Sequence, residues 1–113
     1  MNEHVIPPIH PGRILKEEFL EPLEMSAGKL ALAIGVPSQR IYDIVAGKRS
    51  ISLDTALRLA TFFDMSHEFF LGLQTMYEFH VAQDEGLVER IAREVRPLRT
   101  VVSEMDTIAS AGE

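Results

Sequence analysis

Between Ser26 and Arg49 the chain reads SAGKLALAIGVPSQRIYDIVAGKR, and this stretch restricts the fold more than any other. Ser26 is a good N-cap, because its hydroxyl can accept from a backbone N–H of the following turn. It opens a short helix that carries Leu30, Ala31 and Ile34 on one side. Ala31 is small enough for a second helix to cross close by. Gly35, four residues on, takes a positive φ without strain and permits a sharp turn. Val36 supplies an apolar plug under that turn. Pro37 then begins a helix whose inward residues are Ile41, Ile44 and Val45, and Gly47 ends it. Ala31, Gly35 and Val36 thus set the steric pattern of a helix-turn-helix. With no ligand, the same pattern is an ordinary corner between two helices.

The helical period continues on both sides of this segment. Pro11 and Gly12 open a first helix through Ile14, Leu15 and Phe19, which Pro22 is expected to stop, since proline disfavours helix at the residue before it. Ser52 caps a fourth helix with Leu53, Ala56, Leu57, Ala60 and Phe63 on its inner face. Ser66 caps a fifth, longer helix with a stripe of Phe69, Phe70, Leu73, Met76, Tyr77, His80 and Val81. Gly86 interrupts the pattern. Leu87, Val88, Ile91, Ala92 and Val95 form a stripe up to Pro97, and Leu98, Val101, Val102, Met105 and Ile108 form another beyond it. No stretch keeps an alternation of period two, which disfavours a sheet. The expected fold class is all-α. A flexible leader spans residues 1–9, a five-helix, lambda-repressor-like helix-turn-helix domain spans 10–84, and a helical C-terminal extension spans 85–113, frayed from Ser110 onward.

The chain has 113 residues and no Cys, which removes thiol catalysis, zinc–thiolate sites and disulfides together. No apolar run approaches the length of a membrane span. The first eight residues lack the basic region and apolar stretch of a signal peptide, so a soluble cytoplasmic protein is expected. His4, His10, His67 and His80 are scattered, and there is no HExxH, nucleophile elbow or phosphate-cradling glycine loop. No catalytic residue, metal site or cofactor is expected, and an enzyme is not.

The formal net charge of −6 argues against nucleic acid when taken alone, since phosphate attraction supplies most non-specific affinity. Its distribution reverses that inference. Residues 25 to 61 hold Lys29, Arg40, Lys48, Arg49 and Arg58 against Asp43 and Asp54, a local +3 that leaves −9 on the flanks. On the Pro37 helix, Gln39, Arg40, Tyr42, Asp43 and Ala46 point away from Ile41 and Ile44, with Ser38 at the N-terminal tip. The second helix of such a motif offers its N-terminal residues to base edges in the major groove. Gln pairs in bidentate fashion with adenine, Arg with guanine, and Ser with either. Ser38, Gln39, Arg40, Tyr42 and Asp43 are therefore the candidate base readers, Asp43 either accepting from cytosine or orienting Arg40. Lys48, Arg49 and Ser50 follow the helix and are placed to grip phosphates, and Lys29 is a further phosphate candidate. Lys29 and Arg58 read equally well as solvated side chains.

The distinctive text extends well beyond the turn. It includes His10-Pro11-Gly12-Arg13-Ile14-Leu15, Phe19-Leu20-Glu21-Pro22-Leu23, Met25-Ser26, the Ala31 to Val36 turn and Ile44-Val45-Ala46-Gly47-Lys48-Arg49. It continues with Asp54-Thr55-Ala56-Leu57-Arg58-Leu59-Ala60 and Phe69-Phe70-Leu71-Gly72-Leu73-Gln74. Over residues 9 to 84 the chain resembles the HigA-type, or VapI-type, antitoxins of bacterial toxin–antitoxin modules, within the Xre/Cro class of helix-turn-helix repressors. The resemblance implies a five-helix DNA-binding domain, a homodimer, a palindromic operator of double-stranded DNA in the protein's own promoter, and a small basic ribonuclease toxin as partner. The chain departs from the family pattern at Ala27-Gly28, where many relatives carry a phosphate-touching Gln, and at Ala46 and Phe70. Two other readings stay open: an orphan Xre-type transcriptional regulator without a toxin, and a protein-interaction module whose DNA binding is secondary.

The extension from Gly86 lies outside the resemblance. Its two stripes cannot both be buried against a domain that closes on itself, and an amphipathic helix with nothing to pack on usually finds a symmetry mate. Leu87, Val88, Ile91, Val95, Val101, Val102 and Met105 are therefore expected to dimerise. A dimer would also set two reading helices about 34 Å apart, one duplex turn. Arg90, Arg93, Arg96 and Arg99 recur at every third residue, with Glu89 just before them and Glu94 among them, as a salt-bridged solvated face or a second nucleic-acid site. Glu17, Glu18 and Glu21 form either a solubilising face or a surface for a basic partner.

Overall fold

A computed structural model describes residues 7–111; most of the expected leader, with His4, and the last two residues of the end expected to fray lie outside them. Among the described residues every regular element is a helix. The chain begins with α1 (Pro11–Ile14), a π-helical stretch (Leu15–Leu20) and α2 (Glu21–Leu23), joined without a break in helical backbone. There follow α3 (Ala27–Ile34), α4 (Ser38–Val45), α5 (Leu53–Phe63), α6 (His67–Asp84), α7 (Leu87–Glu94) and α8 (Leu98–Ala111). The chain divides into two compact units between Val81 and Ala82.

In the first unit the helix does not stop at Pro22. Proline cannot donate to the carbonyl four residues back, and its ring presses on that carbonyl. Here the helix widens just before the proline, so that the Glu21 N–H donates to the Lys16 carbonyl, five residues back. That wider turn accommodates Pro22 in the first turn of α2, and the helix ends at Leu23, with Glu24 left-handed at φ 52° and the Met25 N–H donating to the Leu20 carbonyl. The π turn also brings Leu15 and Leu20, five residues apart, into the same core. A period of 3.6 does not reveal that pair.

The core is built from Leu15, Leu20, Leu30, Ala31, Ile34, Ile41, Ile44, Ile51, Ala56, Leu59, Ala60 and Phe70. Phe19 and Phe63 close one side, their rings 4.8 Å apart, with Phe70 5.5 Å from Phe19. The inner face of α5 is Thr55, Ala56, Leu59 and Ala60, whereas Leu53 and Leu57, expected inside, are exposed. Thr55 can be buried because its hydroxyl accepts from Ser52 Oγ at 3.3 Å, which satisfies a polar group that periodicity places outside. On α6, Phe69 and Met76 are exposed while Gln74 is buried. Gln74 Oε1 accepts the buried Ile51 N–H at 2.9 Å, and its Nε2 donates to Glu78 at 2.9 Å. This amide stands in for a strand or helix partner that the α4–α5 loop lacks.

His10, at the start of α1, anchors the entry of the chain. His10 Nδ1 accepts the Gly12 N–H at 2.9 Å, and the imidazole meets the edge of Tyr77 at 4.9 Å. Partial burial lowers its pKa below the ordinary 6.5. The neutral ring is the form that can cap, so the unfolded chain takes up the proton more readily than the folded one. This contribution is fully present above pH 6.5 and is lost as the pH falls through the folded-state value. The melting temperature should therefore drop between neutral pH and pH about 5 by more in the wild type than in His10→Asn, whose side chain still caps but does not titrate. Equal pH profiles for the two would remove His10 from the cap.

In the second unit, Gly86 at φ 80° leads into α7. Leu87 and Val101 are half-buried, while Val88, Ile91, Val95, Val102 and Met105 are exposed. Arg90 pairs with Glu94 at 3.8 Å, and Arg96 pairs with Glu104. The arginine stripe thus carries ion pairs within its own unit.

Candidate nucleic-acid interface

The turn between α3 and α4 is built as its residues dictate. Ser26 Oγ accepts the Lys29 N–H at 3.0 Å and caps α3. Ala31 is buried, and Gly35 stands left-handed at φ 75°. The Val36 N–H returns to the Ala31 carbonyl at 3.0 Å, while the Val36 side chain packs half-buried against the core. Ile41 and Ile44 are fully buried and Val45 half-buried, which fixes the roll of α4 about its axis. Pro37 occupies the cap position, one residue outside the helix it was expected to begin. At the other end, Gly47 is left-handed at φ 78°, and the Lys48 N–H donates to the Asp43 carbonyl at 2.8 Å.

Ser38, Gln39 and Tyr42 lie on the exposed side of α4, as expected, and Asp43 is half-buried beside them. Gln39 Nε2 donates to Asp43 Oδ1 at 2.8 Å, one helical turn on. Tyr42 reaches back towards the start of α3, where its hydroxyl lies beside Gly28. Lys29, Lys48, Arg49 and Ser50 are exposed, and the three cations make no ion pair among the described residues.

Arg40 departs from the expected arrangement. Its side chain is only 26% exposed and turns towards α5, where Nη1 meets Asp54 Oδ2 at 3.3 Å. Its Nε is buried without a hydrogen-bond partner. Asp54 also accepts from Arg58 Nε at 2.9 Å, and Arg58 Nη1 donates to the Ile34 carbonyl at 2.8 Å. One carboxylate thus joins Arg40 of α4 to Arg58 of α5, and Arg58 caps a carbonyl at the end of α3. Three helices are tied across the turn. Asp54, not Asp43, orients Arg40. The spacing of Asp54 and Arg58, four apart on one helix, was the available signal for their pairing. Nothing local in the sequence joins Arg40 to Asp54, fourteen residues away.

Gly12 is a second residue whose part in this site spacing alone does not disclose. Its backbone lies directly on the end of α4, and a methyl group there would overlap the Ile44 carbonyl oxygen and stand 2.6 Å from its carbon. The first helix thereby sets the depth at which α4 is seated.

A helix-turn-helix family model matches residues 16–70. The chain is 44% identical over 80 residues to virulence-associated protein I of Dichelobacter nodosus, covering 71% of this chain and 74% of that protein. A solved addiction module antidote protein of the HigA family from Coxiella burnetii is 44% identical and covers 81% of this chain and 99% of its own, with a TM-score of 0.74. The chain belongs to the HigA family of helix-turn-helix proteins. Pseudomonas aeruginosa antitoxin HigA, solved with the higBA promoter, is 41% identical to this HigA-family chain, covers 80% of it and 98% of its own length, and has a TM-score of 0.74. These relatives are an antitoxin, an addiction module antidote protein and a virulence-associated protein; none is described as an enzyme. Among the described residues no helix is long and apolar enough to cross a membrane.

Proposed function

We propose that this chain is a sequence-specific, DNA-binding transcriptional repressor of the cytoplasm. In this reading it is the antitoxin of a type II toxin–antitoxin pair, which binds a palindromic operator in its own promoter as a homodimer and neutralises a small ribonuclease toxin. The observation that carries the reading is the outer face of α4. Ser38, Gln39 and Tyr42 stand exposed there on a helix whose other face is locked by Ile41 and Ile44, and Lys48, Arg49 and Ser50 follow at its end. Gln39 would read a base edge, with Ser38, Tyr42 and Asp43 beside it, and the three residues after the helix would hold phosphates with Lys29. Arg40 serves mainly as a brace through Asp54. The solved complex of the Pseudomonas relative with a promoter supports the DNA assignment.

The exposed Val88, Ile91, Val95, Val102 and Met105 of the second unit, with half-buried Leu87 and Val101, are the proposed dimer surface. The acidic flanks, including exposed Glu17, Glu18 and Glu21, suit a basic partner. The test uses as probe the promoter DNA ahead of the transcription unit that carries the chain's coding sequence. Gln39→Ala should weaken its retention by roughly tenfold or more while leaving the dependence on salt unchanged. Ile91→Asp with Val102→Asp should yield monomers by light scattering and lose retention with them. Full retention by the Gln39 variant would show that α4 is not the reading element, and an intact dimer would take that role from the second unit.

A further inference from the structure

We infer that Asp43 is a positioning residue that fixes the amide of Gln39 for reading adenine, and that it does not itself read a base. The inference rests on the proposed DNA-binding function. A carboxylate has no proton to give, so the end of Gln39 that meets Asp43 Oδ1 at 2.8 Å must be its NH2 group. That fixes which way the amide faces. A primary amide has two N–H bonds, one on the same edge as its carbonyl oxygen and one on the opposite edge, towards its own side-chain stem. With the stem-side N–H given to Asp43, one turn away on the same helix, the remaining edge, an acceptor beside a donor, is left for a base, since Gln39 is itself exposed. Adenine alone presents the matching pair in the major groove, N6–H to give and N7 to accept. A free Gln could turn its amide over and meet other bases at similar cost. With Asp43 in place, the flipped amide would set its oxygen against a carboxylate. The pair thus combines an attractive element for one base with a repulsive one against the rest.

Asp43 is also poorly placed to be a reader. It is half-buried, lies a full turn nearer the C-terminus than Gln39, and one of its oxygens is engaged by Gln39. Its charge near the phosphates would then be offset by an ordered donor rather than by a base.

A pool of randomised duplexes, selected with the full-length wild type, gives the test. The selected half-site should contain a fixed adenine at which 7-deazaadenine, lacking the N7 acceptor, lowers affinity roughly tenfold. Asp43→Ala should lose most of that preference, roughly tenfold in the ratio of adenine to the other bases, with an unchanged salt slope. Asp43→Glu, which can only accept, should keep most of it, whereas Asp43→Asn can give its NH2 to a flipped Gln39 oxygen and should lose it. Gln39→Ala should be indifferent to the 7-deaza substitution. Full preference in Asp43→Ala would overturn the inference, as would a loss confined to a selected cytosine, which would make Asp43 a direct reader. Full preference in Asp43→Asn would overturn it too, because an amide that can accept from Gln39 one way round and donate to it the other cannot hold it in one orientation. If the wild type selects no sequence at all, the DNA-binding function fails first, and that result is distinct from the others.

Discussion

Gly12→Ala should be among the most damaging single substitutions in this chain, costing about 3 kcal/mol and lowering the melting temperature by roughly 10 to 20 °C. The reason is backbone against backbone. A methyl group at Gly12 would occupy the space of the Ile44 carbonyl, and neither side can yield by turning a side chain. The α1 turn would have to lift off the end of α4, loosening both the His10 cap and the seat of α4. Gly72→Ala is the built-in control. Gly72 lies inside α6 with nothing near its added methyl, so the same change there should stabilise by up to about 1 kcal/mol through helix propensity. Urea or thermal unfolding of the two variants reads the contrast directly. Similar melting temperatures for both would mean that α1 does not seat α4.

The second large effect is electrostatic. Replacing Lys48 and Arg49 by Gln should reduce affinity for the promoter DNA roughly a hundredfold at about 150 mM salt. It should also flatten the salt dependence by about 0.9 in slope for each phosphate no longer neutralised. Both cations are exposed, follow the left-handed Gly47 and have no protein partner that would compete for them among the described residues. Stability should change little, because surface charges without partners contribute little to folding. The corresponding change at Arg40 should behave differently. Arg40→Ala breaks the bridge through Asp54, so it should cost stability as well as binding. Affinity titrations over a salt series separate the two cases. An unchanged slope in the Lys48/Arg49 variant would place the phosphate-binding cations elsewhere.

Much of this architecture is legible in the sequence, because steric constraints there are local. Ala31, Gly35 and Val36 each have one job within a few residues, and Ser26 and Ser52 cap the helices they precede. Ile41 and Ile44 follow from the helical period alone. The parts that periodicity misreads depend on distant or unusual partners. Pro22 reads as a stop because the compensating π turn lies in the backbone upstream of it. Gln74 reads as a surface residue because the N–H it satisfies belongs to Ile51, twenty-three residues earlier. Leu53 and Leu57 fit an apolar stripe, yet buried Thr55 takes the inner face once Ser52 satisfies its hydroxyl. At the candidate site, the outward set on α4 is readable, but its internal pairing is not. By sequence Asp43 is the carboxylate offered to Arg40, and Asp54, fourteen residues on, takes that place only because the fold brings the start of α5 to it.

Competition between two duplexes of equal length puts the central claim, that α4 reads sequence, to its most direct trial. One duplex carries the promoter DNA ahead of the transcription unit, and the other the same bases scrambled. At about 150 mM salt the wild type should prefer the first by roughly a thousandfold or more. Gln39→Ala should lose much of that ratio at an unaltered salt slope. Equal affinity of the wild type for the two duplexes, or a ratio untouched by Gln39→Ala, would contradict it.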